Sequence, residues 1–202
     1  MKQMDFKAIL ISILIPAFGF CQTAKEFAVN GIAKFKNKDY EGAILDYNKS
    51  IELDSTNSTV FYSRGLAYSK LNNFQSAISD YTKSIQLKND PATYYLRALV
   101  KVELKDYKGA LEDLNNAYEA KKDSPIFYCL RGDCKYSTND YKGAISDFDK
   151  AIELKQDFAN AYVLQGLAYL KLNEKDKACL DFNKAKSLNS TKVDELIQKN
   201  CN

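Results

Sequence analysis

The chain has 202 residues, 46% of them hydrophobic, and its 29 Lys and Arg residues nearly balance its 26 Asp and Glu residues. A net charge of +3 provides no general electrostatic attraction to nucleic acid. The sequence contains no His, which excludes His-based acid–base catalysis, Ser–His and Cys–His nucleophile pairs, and the commonest metal ligand.

The first 21 residues differ in composition from the rest of the chain. Lysines precede the apolar run "AILISILIPAFGF", which is shorter than the ~20 apolar residues that a transmembrane helix needs. This pattern predicts a secretory signal peptide over residues 1–21, cut before Gln22, and hence an exported protein, periplasmic or extracellular. Two alternatives stay open. The segment is an uncleaved membrane anchor, or Cys21 carries a lipid, although Phe20 stands where lipoprotein signals have a small residue.

Five copies of one pattern fill the rest of the chain. The stretches "GAILDYNKSIEL", "SAISDYTKSIQL", "GALEDLNNAYEA", "GAISDFDKAIEL" and "KACLDFNKAKSL" share an alanine every 33 or 34 residues: Ala43, Ala77, Ala110, Ala144 and Ala178. A second block upstream keeps the same spacing and contains a small residue, at Gly31, Gly65, Ala98, Gly132 and Gly166. Because two blocks repeat together, we predict a repeat region over 22–190 with units at 24–57, 58–90, 91–124, 125–158 and 159–190.

Each unit has the periodicity of two α-helices. In the second unit, Phe61, Gly65 and Tyr68 share one helical stripe, and Ala77 and Tyr81 repeat this spacing in the second half. The sequence "LNNF" between the two halves is typical of a turn. The chain is therefore predicted to be all-α, with five helix-turn-helix units.

The tripeptide Arg131-Gly132-Asp133 resembles an adhesion motif and is flanked by Cys129 and Cys134. In the repeat, however, it falls in the middle of the fourth unit's first helix, where it cannot form an extended loop. Two cysteines five residues apart on one helix have Cα atoms more than ~7 Å apart, too far for a disulfide. We therefore interpret the tripeptide as a coincidence and expect both cysteines to stay reduced and partly buried.

A recurring Arg in the first helix and a recurring Asp in the second predict structural ion pairs between neighbouring helices. The residues are Arg64, Arg97 and Arg131, with Asp80, Asp113 and Asp147. Asp46 and Asp181 occupy the same place in the two end units. The alternative is that these are solvated charges, which contribute less than about 1 kcal/mol. Equivalent carboxylates in every unit are better explained by architecture than by an active site.

The repeat resembles the tetratricopeptide repeat (TPR), whose pattern over about 34 residues contains two aromatics, a small residue and an alanine. The first aromatic is matched by Phe27, Phe61, Tyr94, Tyr128 and Tyr162, and the second by Tyr47, Tyr81, Leu114, Phe148 and Phe182. Two features depart from the family pattern: Arg replaces its Leu in the central units, and the Pro that ends each repeat is missing. The resemblance implies a right-handed superhelical solenoid over residues 24–190.

The resemblance also implies a concave, apolar groove lined by the first helices. Carried onto this chain, the partner-binding residues are Ile32, Phe35, Tyr62, Leu66, Tyr95, Leu99, Leu130, Asp133, Tyr136 and Leu167. Asp133 is the acidic member of this set. The alternative is that neighbouring helices bury many of these side chains. The Lys/Asn/Arg pattern with which some relatives bind a C-terminal carboxylate is missing.

The last residues, 191–202, predict a short capping helix that covers the open end of the array. If this helix folds back antiparallel, Cys179 faces Cys201, and an oxidising compartment would join them in a disulfide. The alternative is two unrelated thiols. No Cys-x-x-Cys pair occurs, so we expect no metal site and no cofactor.

These patterns predict a non-enzymatic scaffold for protein–protein interactions. We expect a protein or peptide as partner, and neither nucleic acid nor a small-molecule substrate. Two alternatives are a structural module that assembles with itself and an accessory subunit of an envelope or membrane-associated complex.

Overall fold

The computed structural model describes residues 23–201, apart from the side chain of Lys192. The predicted signal peptide, including Cys21, lies outside the described residues. In the described part, α-helices make up the fold and no strand occurs: α1 Ala24–Lys36, α2 Tyr40–Leu53, α3 Ser58–Lys70, α4 Phe74–Leu87, α5 Pro91–Glu103, α6 Tyr107–Lys121, α7 Pro125–Ser137, α8 Tyr141–Leu154, α9 Ala159–Lys171, α10 Lys175–Ser187 and α11 Asp194–Asn200. A 3₁₀ turn, Thr191–Val193, precedes α11.

In residues 23–201, helices pack mainly with near neighbours along the chain. The two helices of each unit pack against each other, and each second helix packs against the first helix of the next unit. Contacts also join α1 to α3 and α7 to α9, so first helices of successive units lie side by side. The prediction of an all-α array of helix pairs is confirmed. None of the helices in residues 23–201 is long and apolar enough to cross a bilayer.

The turn between the two helices has the same backbone conformation in every unit. Two residues after the end of each first helix lies a residue of positive φ, such as Lys38 at 65° and Asn139 at 68°. In the fourth unit, the N–H groups of Asn139 and Asp140 donate to the carbonyls of Tyr136 and Lys135, at 3.0 and 2.9 Å. This is the Schellman pattern of helix ends. The Asp140 side chain then accepts a hydrogen bond from the Gly143 N–H and caps α8.

The helices of a unit approach closely at the recurring small residue. A Cβ atom added to Gly132 would lie 2.6 Å from Cε1 of Phe148, whose ring is fully buried. The first, second and fifth units repeat this glycine–aromatic contact. In the third unit, Ala98 replaces the glycine and Leu114 replaces the aromatic residue, and both are fully buried. A larger residue on one helix thus accompanies a smaller one on the other.

The C-terminal end of the array is covered by the 3₁₀ turn and α11. Val193 is fully buried beside Phe182 and Ala185 of α10, and Leu196 and Ile197 pack against the same cluster. The capping helix predicted over 191–202 therefore begins with a 3₁₀ turn, because burial of Val193 holds the first residues close to α10. Cys179 and Cys201 form a disulfide with a Cα–Cα distance of 5.6 Å.

Candidate functional site

The first helices present one side chain per unit in a repeating row. These residues follow the small helix-packing residue, and we call them the first-helix row: Ile32, Leu66, Leu99, Asp133 and Leu167. Ile32 is 39% exposed, and the other four are half-buried. Four members are apolar and one is acidic. The row therefore offers an apolar strip, with one interruption, along the side-by-side first helices.

Three shallow clefts lie between successive first helices. The cleft between α1 and α3 measures about 240 Å³ and is lined by Val29, Ile32 and Val60 among others. The cleft between α3 and α5, about 220 Å³, contains Tyr62. The cleft between α7 and α9, about 210 Å³, contains Leu130. Pockets for small molecules usually measure about 300–1,000 Å³, so the size of these clefts suits single side chains of a partner.

Buried ion pairs join the two helices of each central unit. Arg131 donates from Nε and Nη2 to the two carboxylate oxygens of Asp147, at 2.9 and 2.6 Å. The same two-pronged pair joins Arg64 to Asp80 and Arg97 to Asp113. These Asp residues are at most 4% exposed. The recurring charges therefore serve the architecture, because both oxygens of each carboxylate accept hydrogen bonds from a guanidinium in its own unit.

Additional groups extend these ion pairs. Lys135 Nζ lies 2.8 Å from Asp147 Oδ2, and Lys101 Nζ lies 2.8 Å from Asp113 Oδ2. Other groups come from the preceding unit: Asn48 Oδ1 accepts from Arg64 Nη1 at 2.7 Å, and Thr82 Oγ1 accepts from Arg97 Nη1 at 2.8 Å. These two acceptors were not among the residues predicted from the sequence. Both follow the second aromatic position of their unit, so the repeat alignment contained the signal.

The two end units lack the arginine, so their recurring Asp residues have different surroundings. In the first unit, Lys34 Nζ lies 2.8 Å from Asp46 Oδ2. In the fifth unit, Gln165 donates to Asp149 Oδ1 at 2.6 Å. Asp181 Oδ2 is buried and has no hydrogen-bond partner among the described residues. Burial, together with the nearby Asp149 carboxylate, raises the pKa of Asp181 to about 7.

Comparison with known families decides the classification of this architecture. A model described as "TPR repeat" matches residues 31–72 and 132–173, and a model described as "Tetratricopeptide repeat" matches residues 58–91 and 159–192. Together these matches span more than half of the chain. The chain belongs to the tetratricopeptide-repeat family. Proteins of this family bind protein or peptide partners and are generally non-catalytic, so this TPR protein is a protein-interaction scaffold.

Solved TPR structures share the fold over most of the chain. YrrB, described as a TPR protein with an unusual peptide-binding site, is 22% identical, with a TM-score of 0.82 over 87% of this chain and 92% of its own. A crystal structure of MamA is 26% identical, with a TM-score of 0.74 over 81% of this chain and 96% of its own. MamA from Desulfovibrio magneticus RS-1 is 20% identical, with a TM-score of 0.77 and coverages of 82% and 94%. No curated protein matches the chain.

The predicted groove residues of the TPR units differ in how much of each side chain packs against the core. Phe35 and Tyr136 make edge-to-face contacts with Tyr40 and Tyr141 of their own second helices, with ring centroids 5.3 and 5.5 Å apart. Leu66, Tyr95, Leu130 and Leu167 pack against buried clusters while remaining half-exposed. The Tyr62 ring lies 6.4 Å from that of Tyr81. Most of these side chains thus belong partly to the core and partly to the surface.

The cysteines of the fourth TPR unit are inaccessible to ordinary thiol chemistry. Cys129 and Cys134 are both buried in α7 and unpaired. Burial raises the pKa of Cys129 to about 11 and that of Cys134 to about 12. The Arg131-Gly132-Asp133 tripeptide lies inside the same helix, so it forms no loop. Within residues 23–201, no three His, Cys, Asp or Glu side chains are grouped so as to hold a metal ion.

Proposed function

We propose that this TPR protein binds a peptide or helix of a partner protein along the first-helix row, without catalysing a reaction. The observation that carries this proposal is the exposure of large apolar side chains on the first helices. Val29 is 56% exposed, Ile32 39% and Ile126 61%. Large exposed apolar patches usually mark interaction sites, and Val29 and Ile32 lie together beside the cleft between α1 and α3. The side-chain-sized clefts beside Val29 and Ile126 supply places for the partner's own apolar groups.

The mode of binding follows from the repeat. Clefts lie between three pairs of successive first helices, so a partner segment that crosses several units can place one side chain in each. An amphipathic helix laid in an apolar groove uses such spaced anchors. YrrB, which shares the fold, is described as having a peptide-binding site. This likeness supports a peptide as the partner of the present chain.

We also propose that the protein is exported, with residues 1–21 as a signal peptide. The composition of that segment supports export, and the Cys179–Cys201 disulfide suits an oxidising compartment. Retention as a membrane anchor, or attachment of lipid at Cys21, would instead hold the protein at a membrane. Mass spectrometry of the protein isolated from cell fractions distinguishes the three, because cleavage before Gln22, an intact N-terminus and an added lipid give different masses.

A matched pair of variants tests the binding surface. In a pull-down from envelope extract, the Leu99→Asp/Leu130→Asp variant should lose the partner that the native protein captures. Leu154→Asp is the control: it makes the same change at a 38% exposed leucine near the end of α8, a second helix. Circular dichroism must show that both variants remain helical. Capture of the same partner by all three proteins would contradict the proposed surface.

Exposed leucines on the two end units favour self-assembly as a second candidate function. Leu45 on α2 is 65% exposed and Leu180 on α10 is 70% exposed. These two leucines occupy equivalent positions, where the middle units have the exposed polar residues Ser79, Glu112 and Ser146. Sedimentation at increasing concentration should show association that Leu45→Ser and Leu180→Ser abolish. A concentration-independent monomer would exclude this candidate. Co-fractionation with an envelope complex would instead support an accessory role.

A further inference from the structure

Asp133 interrupts the apolar first-helix row at its fourth position. The equivalent residues of the other units are Ile32, Leu66, Leu99 and Leu167. Asp133 lines the cleft between α7 and α9, and Ile126, Leu130 and Leu164 line the same cleft. A carboxylate at this place is thus surrounded by the surface that a partner would cover.

No cation of the described chain neutralises this carboxylate. Arg131 and Lys135, the cations of the same helix, both bind Asp147, at 2.6 and 2.8 Å. The polar group opposite on α9, Asn160, donates to Cys129 Sγ at 3.5 Å. Among the residues that the structure describes, Asp133 receives no hydrogen bond and forms no ion pair. Burial alone raises the pKa of Asp133, which reflects the poor solvation of its carboxylate.

The chemistry of a partner that covers the cleft decides whether the Asp133 carboxylate is buried unpaired or forms an ion pair. A purely apolar segment would remove the remaining water from the Asp133 carboxylate and leave a buried charge without a counter-ion, which is strongly unfavourable. A Lys or Arg side chain would pair with the carboxylate instead. Its alkyl stem would lie against the apolar cleft residues Ile126, Leu130 and Leu164. The cleft therefore discriminates in favour of a basic side chain.

We propose that the partner segment of this TPR protein carries a Lys or Arg residue that pairs with Asp133, flanked by apolar residues that contact the rest of the first-helix row. This inference rests on the proposed function and adds the chemistry of the partner. Charge complementarity at Asp133 sets the register of the segment on the array, because the other row positions are apolar.

Selection of peptides from a random 12-residue phage library tests this chemistry without a known partner. The native protein should enrich peptides with Lys or Arg among apolar residues. The Asp133→Lys variant should enrich Asp or Glu instead, and a synthetic peptide selected on the native protein should bind this variant at least about tenfold more weakly. Asp133→Leu, which gives the fourth unit the apolar residue of the others, should select apolar peptides with no charge preference.

Two further variants separate the possible failures. Asp123→Lys makes the same change of charge at an exposed turn residue and should select the same peptides as the native protein. Leu99→Asp should lose the selected peptides if they bind the first-helix row. Peptides that need Leu99 but show no basic residue, and that bind Asp133→Lys equally well, would overturn the Asp133 inference and leave the proposed function standing. Peptides indifferent to Leu99, or no binders at all, would remove both.

Discussion

At Gly132, the backbone of α7 meets the Phe148 ring of α8 with no room for a further atom. A Cβ atom there would lie 2.6 Å from the ring, closer than van der Waals contact allows, and Phe148 is fully buried. In the third unit the first helix has a larger residue, Ala98, and the second helix has a smaller one, Leu114. The pattern indicates that packing constrains the combined volume of the two side chains rather than the size of either one.

This complementarity predicts a strong coupling between the two positions. Gly132→Ala should lower the free energy of unfolding by about 1–3 kcal/mol, because the new methyl group overpacks the contact. In a Phe148→Leu background, the same Gly132→Ala change should be neutral or stabilising, since alanine is the better helix former by about 1 kcal/mol. Urea denaturation of the native protein, both single variants and the double variant measures the coupling.

Ser137→Ala, at an exposed position on the last turn of α7, is the control and should change the free energy of unfolding by less than about 0.5 kcal/mol. Equal effects of Gly132→Ala in the Phe148 and Leu backgrounds would show that the two positions are independent.

At the scale of the helix pair, the two end units lack a guanidinium for the recurring Asp: Lys34 pairs with Asp46 in the first unit, whereas the buried Oδ2 atom of Asp181 in the fifth unit has no hydrogen-bond partner among the described residues. In the fourth unit, Asp147 is neutralised by Arg131 and Lys135. In the fifth unit, Gln165 takes the place of the arginine and bonds to Asp149, so Asp181 keeps a buried oxygen without a partner. The pair α9 and α10 therefore contains a carboxyl group that the fold favours in its neutral form.

The raised pKa of Asp181 makes stability depend on pH. The folded-state pKa of about 7 lies above the ordinary value for Asp of about 3.9. The contribution of this group is therefore full below about pH 4 and is lost as the pH rises through about 7. Relative to the native protein, Asp181→Asn and Gln165→Arg should each raise the free energy of unfolding at pH 8 by about 2 kcal/mol, and by clearly less at pH 5. Denaturant titrations at both pH values measure this.

Other titrating groups also make the free energy of unfolding depend on pH, but their effect cancels when a variant and the native protein are compared at the same pH. Ser137→Ala, an exposed change that removes no titrating group, should change the free energy of unfolding equally at pH 5 and pH 8. A gain for Asp181→Asn that is the same at both pH values would show that burial of the charge does not perturb this carboxyl group.

The cap is a short element that depends on its covalent link. Helix α11 spans seven residues, which is too short to be stable alone. The Cys179–Cys201 disulfide closes a segment with a sequence separation of 22. Cys201→Ser should therefore lower the free energy of unfolding by about 3 kcal/mol. Thermal melts with and without reductant provide the measurement, and reductant should not affect the Cys179→Ser/Cys201→Ser double variant.

Thiol counting in denaturant gives an independent check of the same link. A protein that begins at Gln22 should have two free thiols, from Cys129 and Cys134, when it is isolated under oxidising conditions. Four free thiols would contradict the disulfide and leave the cap held by Val193, Leu196 and Ile197 alone.

The elements follow from the sequence more directly than the site does. The first helices begin at Ala24, Ser58, Pro91, Pro125 and Ala159, where the repeat units begin. The alignment could predict Arg131 beside Asp147, because both recur at a fixed spacing. It could not predict the 3₁₀ turn at Thr191–Val193, which depends on burial of Val193 against α10. Nor could it predict the edge-to-face contact between Tyr136 and Tyr141, since periodicity indicates which face of a helix a residue lies on but not how far a neighbouring side chain covers it.

At the scale of the whole molecule, stability is distributed unevenly along the array. Units contact mainly their neighbours, so each interface contributes separately. The largest buried cluster contains thirteen buried residues between Ala98 and Ala168 and is centred on α7 and α8. The cluster around α1–α3 contains four, from Ala43 to Ala67. We therefore expect the third to fifth units to be the most stable part of the described chain.

Native-state hydrogen exchange should resolve this gradient. Amides of α7 and α8 should exchange slowest, and those of α1 and α2 faster, because opening the first unit exposes the smaller cluster. Reducing the Cys179–Cys201 disulfide should accelerate exchange in α10 and α11 while leaving α3 and α4 unchanged, which makes those two helices an internal control. A single protection factor along all the helices would instead show that the array opens as one cooperative unit. The description of stability as separate contributions from neighbouring units would then be wrong for this protein.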